Sequence, residues 1–182
     1  MALVTNNILL EGLSGALGDY VYKVRNGKTF RYNKQRPYSS NTPAQQSGRN
    51  LFREASQYAF TALQNPELYA FYAALAGNGR TPRNMAIADY CKPPVIHLVD
   101  ASGYMGNPGD RIQMLVTDNG KVQHVRVQIS ISNSVIEEGE ASITPDGLHW
   151  VYIASKTNHN LADTIIEVCA TDLAGRIRME CR

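Results

Sequence analysis

The chain has 182 residues, of which 43% are hydrophobic and 19% charged, the composition of an ordinary folded soluble protein. No stretch approaches the roughly 18 uninterrupted apolar residues of a membrane span, and the N-terminus lacks the features of a conventional secretory signal. The net charge of +2 is unevenly placed: residues 1–100 hold 11 Lys and Arg against 6 Asp and Glu, whereas residues 101–182 hold 7 against 10. This asymmetry predicts a basic face in the first half, or attraction between unlike halves of neighbouring molecules.

The first predicted element is a cationic β-hairpin over residues 18–33, GDYVYKVRNGKTFRYN. Asn26 and Gly27 suit the two positive-φ positions of a type I′ turn, whose twist matches that of paired strands. Alternation places the tyrosines on one face of the first strand and its cations on the other. The polar, proline-punctuated segment that follows is expected to be an extended connector.

Three helices are predicted next, because a Thr-Pro or Asn-Pro pair joins a good N-cap to proline at the first helical position in each case. The first is expected from Pro43 to Leu63, where apolar residues recur at three- and four-residue steps. The second is expected near Pro66–Ala76 and the third from Pro82 to about Tyr90. The double proline that follows predicts a domain boundary.

After the double proline, seven short β-rich runs alternate with turn signals such as NPGD, DNGK, TPDGL and LAGR. This rhythm predicts an antiparallel β-sandwich of the immunoglobulin-like type, with the valines of KVQHVRVQIS facing inward and Trp150 and Tyr104 in the core. The predicted fold class is therefore α+β. A β-hairpin and about three helices occupy residues 1–94, and an all-β immunoglobulin-like sandwich occupies residues 95–182.

An ordered set of segments resembles a group of uncharacterised bacterial and phage-borne proteins. The segments are GDYVYKVRNGKTFRYNKQRP with the spaced glycines before it, TPAQQSGRNLFREA, GRTPRNMAIADYCKPP, SGYMGNPGDRIQMLVTD, IEEGEA and CATDLAGR. In that group a small N-terminal module with a Gly-Lys, Arg and Pro signature precedes an immunoglobulin-like domain. The resemblance covers nearly the whole chain, and it implies the two-part architecture and an assembly or structural role, with no catalytic residue.

Two patterns that could carry chemistry have simpler explanations. Gly12, Gly15 and Gly18 lack the spacing of a P-loop or dinucleotide fingerprint, and are interpreted as sites of bends or close backbone approach. A group of acids beside turns lacks the spacing of a calcium loop, and is interpreted as turn caps. These acids are Asp118, Glu137, Glu138, Glu140 and Asp172.

The histidines and cysteines also give no catalytic pattern. The four histidines are scattered, and no serine or cysteine lies in a nucleophile context. The three cysteines lack metal-ligand spacing and are expected to be buried or free thiols, although a bridge between Cys169 and Cys181 stays open. The chain is therefore predicted to be no enzyme and to have no cofactor, no metal and no small-molecule substrate.

The basic, aromatic hairpin is the candidate site. Eight of the ten tyrosines lie in residues 1–94, where a hairpin and modest helices offer little apolar surface to bury them within one subunit. Tyrosine is favoured at interfaces, and strand cations can fix the register against an acidic partner such as the EEGEA segment of a neighbour. The residues predicted to lie at a subunit interface are Tyr20, Tyr22, Lys23, Arg25, Phe30, Arg31, Tyr32 and Arg36.

The sequence thus predicts a structural or assembly protein, a self-associating subunit of a filament, virion or similar particle. A nucleic-acid-binding protein that uses the basic hairpin is one alternative. An adhesion module that recognises carbohydrate or protein through sandwich loops, at Tyr104 or Asp146, is another. The expected location is cytoplasmic, particle-associated or reached by non-classical export.

Overall fold

The computed structural model describes residues 2–4, 9–10, 12–35, 42–77, 79–132 and 134–182. These residues form three helices and three antiparallel sheets of four strands each, which confirms a mixed α+β class that is mostly β. The helices are α1 (Pro43–Ala62), α2 (Pro66–Leu75) and α3 (Pro82–Cys91). The strands are β1 (Ala2–Val4), β2 (Gly15–Leu17), β3 (Tyr20–Arg25), β4 (Lys28–Asn33), β5 (Val95–Asp100), β6 (Arg111–Thr117), β7 (Val122–Ile131), β8 (Ser134–Glu140), β9 (Ser142–Ile143), β10 (His149–Ile153), β11 (Thr164–Asp172) and β12 (Ile177–Cys181).

The chain divides into two compact units, residues 1–46 and residues 47–182. In the first unit the predicted hairpin is β3–β4, and Asn26 and Gly27 at its turn have φ of 51° and 73°, as a type I′ turn requires. β1 pairs with β4, and β2 pairs with β3, so the strand order is β1-β4-β3-β2. The hairpin is therefore the centre of a larger sheet, which we call the N-terminal sheet.

The three predicted helices are present, and each ends within one residue of its predicted end. The predicted N-caps are confirmed for α2 and α3, because the Asn65 side chain accepts from Glu67 N at 2.9 Å and the Thr81 side chain accepts from Asn84 N at 3.2 Å. The helices share a small core of buried side chains, which are Ala59, Tyr72 and Ala86. Within the described ranges, no helix is both long and apolar enough to cross a membrane.

Two sheets share the main hydrophobic core and form a two-layer arrangement, here called the sandwich. Their strand orders are β5-β6-β10-β9 and β12-β11-β7-β8. All seven predicted β runs form strands, but the fourth divides at the buried Ala141, where the chain passes from β8 in one sheet to β9 in the other. The core prediction is confirmed, since Trp150 and Tyr104 are buried, as are Val125 and Val127 of β7.

The helices and the sandwich belong to the same unit, residues 47–182. Leu173, which follows β11, packs against the helix core. The boundary predicted after residue 94 falls within this unit, at the point where α3 gives way to β5. Cys169 faces Met179 across the β11–β12 pair, and the three cysteines are free thiols.

Candidate functional sites: the N-terminal sheet and a buried acidic cluster

Strand register divides the predicted interface residues between the two faces of the N-terminal sheet. Directly opposed residues of an antiparallel pair lie on the same face. One face, the tyrosine face, carries Leu17, Tyr20, Tyr22, Val24 and Arg31. The other, the lysine face, carries Lys23, Arg25, Lys28, Phe30 and Tyr32. The predicted residues thus form two patches, and Arg36 lies outside the described residues.

The tyrosine face exposes apolar side chains. The exposed fractions are 60% for Leu17, 38% for Tyr20 and 45% for Val24. The Arg31 guanidinium lies 4.5 Å from the centre of the Tyr20 ring, within the range of a cation–π contact. Tyr22 is only 6% exposed, so the expectation that the first half cannot bury its tyrosines within one subunit is wrong for this residue.

The lysine face concentrates positive charge beside aromatic rings. Lys23, Arg25 and Lys28 are exposed, whereas Phe30 and Tyr32 are half-buried. The Lys23 ammonium lies 5.8 Å from the centre of the Tyr32 ring. This combination can neutralise phosphates and offer rings for base stacking.

The edge strand β2 is the third feature of the N-terminal sheet. It is the outermost strand on its side, and its three residues are exposed. The outward backbone groups of an edge strand can pair with another strand. The N-terminal sheet therefore combines an accessible edge with an exposed apolar face.

A second candidate site lies in the other unit, where the end of α3 meets two turns of the sandwich. Three carboxylates come together there, and we call them the acidic cluster: Asp89 of α3, Asp118 after β6 and Asp172 at the end of β11. Gly120 permits this approach, because a Cβ at that position would lie 2.3 Å from Asp89 Oδ1. The absence of a side chain at one turn residue thus lets a helix carboxylate reach the sandwich.

One oxygen of each carboxylate in the cluster accepts a hydrogen bond. Asp89 Oδ2 accepts from the Tyr72 hydroxyl at 2.7 Å, Asp118 Oδ2 from Gly120 N at 2.8 Å, and Asp172 Oδ1 from Arg176 N at 2.7 Å. The other oxygens, Asp89 Oδ1, Asp118 Oδ1 and Asp172 Oδ2, are buried and have no hydrogen-bond partner as acceptors. Such groups are costly to bury, so their state of charge matters.

Burial raises the pKa of Asp89 to about 7; the Tyr72 hydrogen bond opposes this rise, and the Asp118 charge adds to it. Burial also raises the pKa of Asp172. In the part of the chain that the structure describes, no three His, Cys, Asp or Glu side chains have an arrangement suited to a metal ion.

The structure gives the predicted turn-capping acids different roles. Asp118 and Asp172 do cap their turns, as predicted, through Gly120 N and Arg176 N. Glu137 is buried instead, and its Oε2 accepts from the backbone and hydroxyl of Ser155 at 2.9 and 2.7 Å and from Lys156 N at 2.9 Å. The exposed acids in this group are Glu138 and Glu140, and Glu140 lies 3.3 Å from Arg126.

Asp89 was not among the site residues predicted from the sequence. Its position in α3 offered a signal, because it follows Ala86 by three residues and Met85 by four, and so shares their helix face. Ala86 is buried and Met85 packs against the helix core. An acid on the apolar face of a helix needs a partner, and that requirement points to a polar cluster.

The residues suggested for adhesion are engaged within the subunit. Tyr104 is buried, and its hydroxyl accepts a hydrogen bond from Asn158 Nδ2 at 3.3 Å. Asp146 accepts from the backbone of His149 and Leu148 and from the Thr144 hydroxyl, which together lower its pKa. Asp146 therefore stabilises the turn before β10.

Comparison with known proteins identifies no family, and it finds a solved structure that is only weakly similar to the chain. No protein-family model and no curated protein matches the chain. Among solved structures, the chain is similar to an engineered protein whose crystal structure was determined by the Northeast Structural Genomics Consortium, with 18% identity and a TM-score of 0.36. The similarity covers 56% of this chain and 25% of the engineered protein, so the chain spans a quarter of that structure's length. A similarity this weak supports no argument about fold or function.

Proposed function

We propose that the protein is a non-enzymatic structural subunit that associates with copies of itself through the N-terminal sheet, as in a filament, virion or similar particle. The observation that carries this proposal is the tyrosine face, where Leu17, Tyr20 and Val24 expose apolar surface on one side of the sheet. Contact with a second copy would remove this surface from water, which is favourable.

Strand addition at β2 is the proposed mode of association. Main-chain pairing along an edge supplies affinity, and the neighbouring side chains fix the register. The partner is the acidic edge strand β8 of another copy, whose exposed Glu138 complements the cationic sheet. Because β2 and β8 are different surfaces, the contact is heterologous and can repeat from one copy to the next.

We further propose that the sandwich is immunoglobulin-like and forms the wall or display module of this subunit. Its strand order supports the proposal: β5-β6-β10-β9 corresponds to strands A-B-E-D of that fold, and β12-β11-β7-β8 corresponds to G-F-C-C′. The resemblance to two-part bacterial and phage-borne proteins agrees with this assignment.

Hydrogen exchange at different protein concentrations tests the strand-addition mode. The amides of β2 that point away from β3 should become protected as concentration rises, because a second strand then pairs with them. The amides of β9, another edge strand, serve as the control and should not change. Exchange at β2 that is independent of concentration, in a protein that associates, would contradict the proposed mode.

The lysine face favours nucleic-acid binding as a second candidate function. Lys23 and Lys28 lie on one face beside Phe30 and Tyr32, an arrangement that suits single-stranded nucleic acid. If the protein binds a mixed-sequence single-stranded oligonucleotide this way, Lys28→Ala should lower the slope of log K against log salt by about 0.7. Leu17→Asp, on the opposite face, should leave that slope unchanged.

A further inference from the structure

We propose that Asp89 and Asp118 share a proton in the folded protein, and that this proton forms a pH-sensitive contact between α3 and the sandwich. The proposal rests on the acidic cluster alone and does not depend on the assembly role. It concerns side chains that all lie in residues 47–182, a single compact unit.

The hydrogen-bond chain from α1 to α3 shows which oxygen of Asp89 is free to carry a proton. Tyr72 has one hydroxyl proton and donates it to Asp89 Oδ2, 2.7 Å away. The Tyr58 hydroxyl, 2.9 Å from that of Tyr72, must therefore be the donor in its own contact. Asp89 Oδ2 is thus an acceptor, and Asp89 Oδ1 is the oxygen left for the acidic cluster.

Asp118 presents the matching acceptor. Its Oδ2 is occupied by Gly120 N, and its Oδ1 is buried without a partner, like Asp89 Oδ1. Two ionised carboxylates brought this close repel and form no hydrogen bond. A proton on Asp89 Oδ1 would let Asp89 donate an O–H···O bond to Asp118, which would give the buried oxygens the partner they lack. A hydrogen bond with Asp118 is among the causes that raise the pKa of Asp89.

Around Asp89 the Tyr72 hydrogen bond favours the charged form, whereas burial and the neighbouring carboxylates favour the neutral form and outweigh it. Tyr58 of α1 and Tyr72 of α2 are uncharged, and burial raises the pKa of both. Asp172 adds a third carboxylate, whose charge also raises the pKa of Asp89. The cation beside the cluster is Arg176, which lies over the Tyr90 ring at 5.0 Å and lowers the pKa of Asp172. The charges that act most strongly on Asp89 are those of Asp118 and Asp172, so a bound proton is the expected compensation.

The sign of the pH dependence follows from the direction of the pKa change. The pKa of Asp89 rises from 3.8 to about 7 on folding, so the folded protein retains a proton that the unfolded chain releases. Stability from this group is therefore complete below about pH 3.8, falls as the pH rises from there, and is lost once the pH has passed about 7. Above that pH the three charges repel, and the end of α3 loosens from the turns that hold Asp118 and Asp172.

The test compares the wild type with Asp89→Asn, whose amide can accept from Tyr72 and donate to Asp118 without a shared proton. Thermal unfolding is measured from about pH 5 to about pH 9, with EDTA and separately with CaCl₂. We expect the Tm of the wild type to fall by roughly 5 °C more than that of the variant over this range. Asp19→Asn, the same exchange at an exposed position, should follow the wild type, and neither EDTA nor CaCl₂ should shift any of the three proteins.

Three results would overturn the proposal. Equal pH dependence in the wild type and Asp89→Asn would mean that no shared proton contributes to stability. Stabilisation of the wild type by CaCl₂ at alkaline pH, lost in Asp89→Asn, would mean that a divalent cation balances the cluster. If Asp89→Asn does not fold, Asp118→Asn replaces it in the same comparison, because it puts the amide on the other member of the Asp89–Asp118 pair. The infrared band of a protonated carboxyl group should in addition be present in the wild type near neutral pH, and its absence would also refute the proposal.

Discussion

Tyr72 connects the half-buried Tyr58 with the buried Asp89, since it accepts from Tyr58 and donates to Asp89. Tyr72→Phe should lower the free energy of unfolding by about 1–3 kcal/mol, because Asp89 Oδ2 then loses its donor. Tyr69→Phe is the control: Tyr69 is 51% exposed on the same helix, and the change should have little effect. Urea unfolding of the three proteins measures the difference, and equal stabilities would show that the hydrogen bond to Asp89 contributes nothing.

Gly120 is the residue that lets Asp89 approach the sandwich. Gly120→Ala should destabilise the protein by about 1–3 kcal/mol, because the added methyl group would displace the Asp89 carboxylate. Gly48→Ala is the matched control, since a Cβ at Gly48 meets nothing within 4 Å in the exposed part of α1, and it should stabilise by roughly 0.5–1 kcal/mol. Thermal or urea unfolding measures both changes in stability. A Gly120→Ala variant as stable as the wild type would contradict the close approach of Asp89 to Gly120.

A substitution at Leu17 is a cleaner test of self-association through the tyrosine face than a substitution at Tyr22. Tyr22 is buried, so an acid at that position would disrupt the N-terminal sheet itself. Leu17→Asp should prevent self-association and leave the fold intact, because it adds charge at a side chain that is 60% exposed. Leu161→Asp, at a 46% exposed leucine in the second unit, should associate like the wild type. Sedimentation velocity distinguishes these outcomes, and normal association of Leu17→Asp would argue against the tyrosine face.

At the scale of elements, the turn between β3 and β4 determines the register of the N-terminal sheet. Gly27 has φ of 73°, a conformation that costs a residue with a side chain roughly 1–2 kcal/mol. Gly27→Ala should therefore weaken the sheet and, through it, self-association. The check is the protection of β3 and β4 amides against hydrogen exchange, which should fall in the variant while that of β7 and β11 stays unchanged.

Local signals predicted most of the secondary structure. The Asn65-Pro66 and Thr81-Pro82 pairs marked the starts of α2 and α3, and Asn26-Gly27 marked the hairpin turn, because caps and turns depend on adjacent residues. β1 and β2 were not predicted, since three-residue strands are too short to show alternation. Their pairing depends on contacts with the hairpin.

The candidate sites were predicted less completely than the secondary structure, because each depends on which side chains are brought to the same face or the same turn. Tyr20 and Phe30 were assigned to one interface, but the register places them on opposite faces of the N-terminal sheet. Asp118 and Asp172 were recognised as turn caps, yet nothing near them in sequence indicated that Asp89 would join them. Tertiary packing of a helix on the sandwich creates the acidic cluster, and local patterns do not report such contacts.

In the whole molecule, the two faces of the N-terminal sheet offer two kinds of binding: self-association through the tyrosine face and nucleic-acid binding through the lysine face. Self-association through the N-terminal sheet would bury the apolar surface of the tyrosine face as well as pair Glu138 with the cationic sheet, so moderate salt should weaken it less than it weakens binding to a polyphosphate. Binding through the lysine face should instead weaken steeply with salt. Measuring both processes over the same salt range separates the two faces without any substitution.

Association of copies of the protein through the N-terminal sheet can be measured without any partner molecule. The most direct test is the mass in solution by light scattering, for the wild type and Leu17→Asp over a range of concentrations. We expect a mass above that of one chain that rises with concentration in the wild type, and the mass of a single chain throughout in Leu17→Asp. A wild type that remains a single chain at every concentration would refute association through the N-terminal sheet.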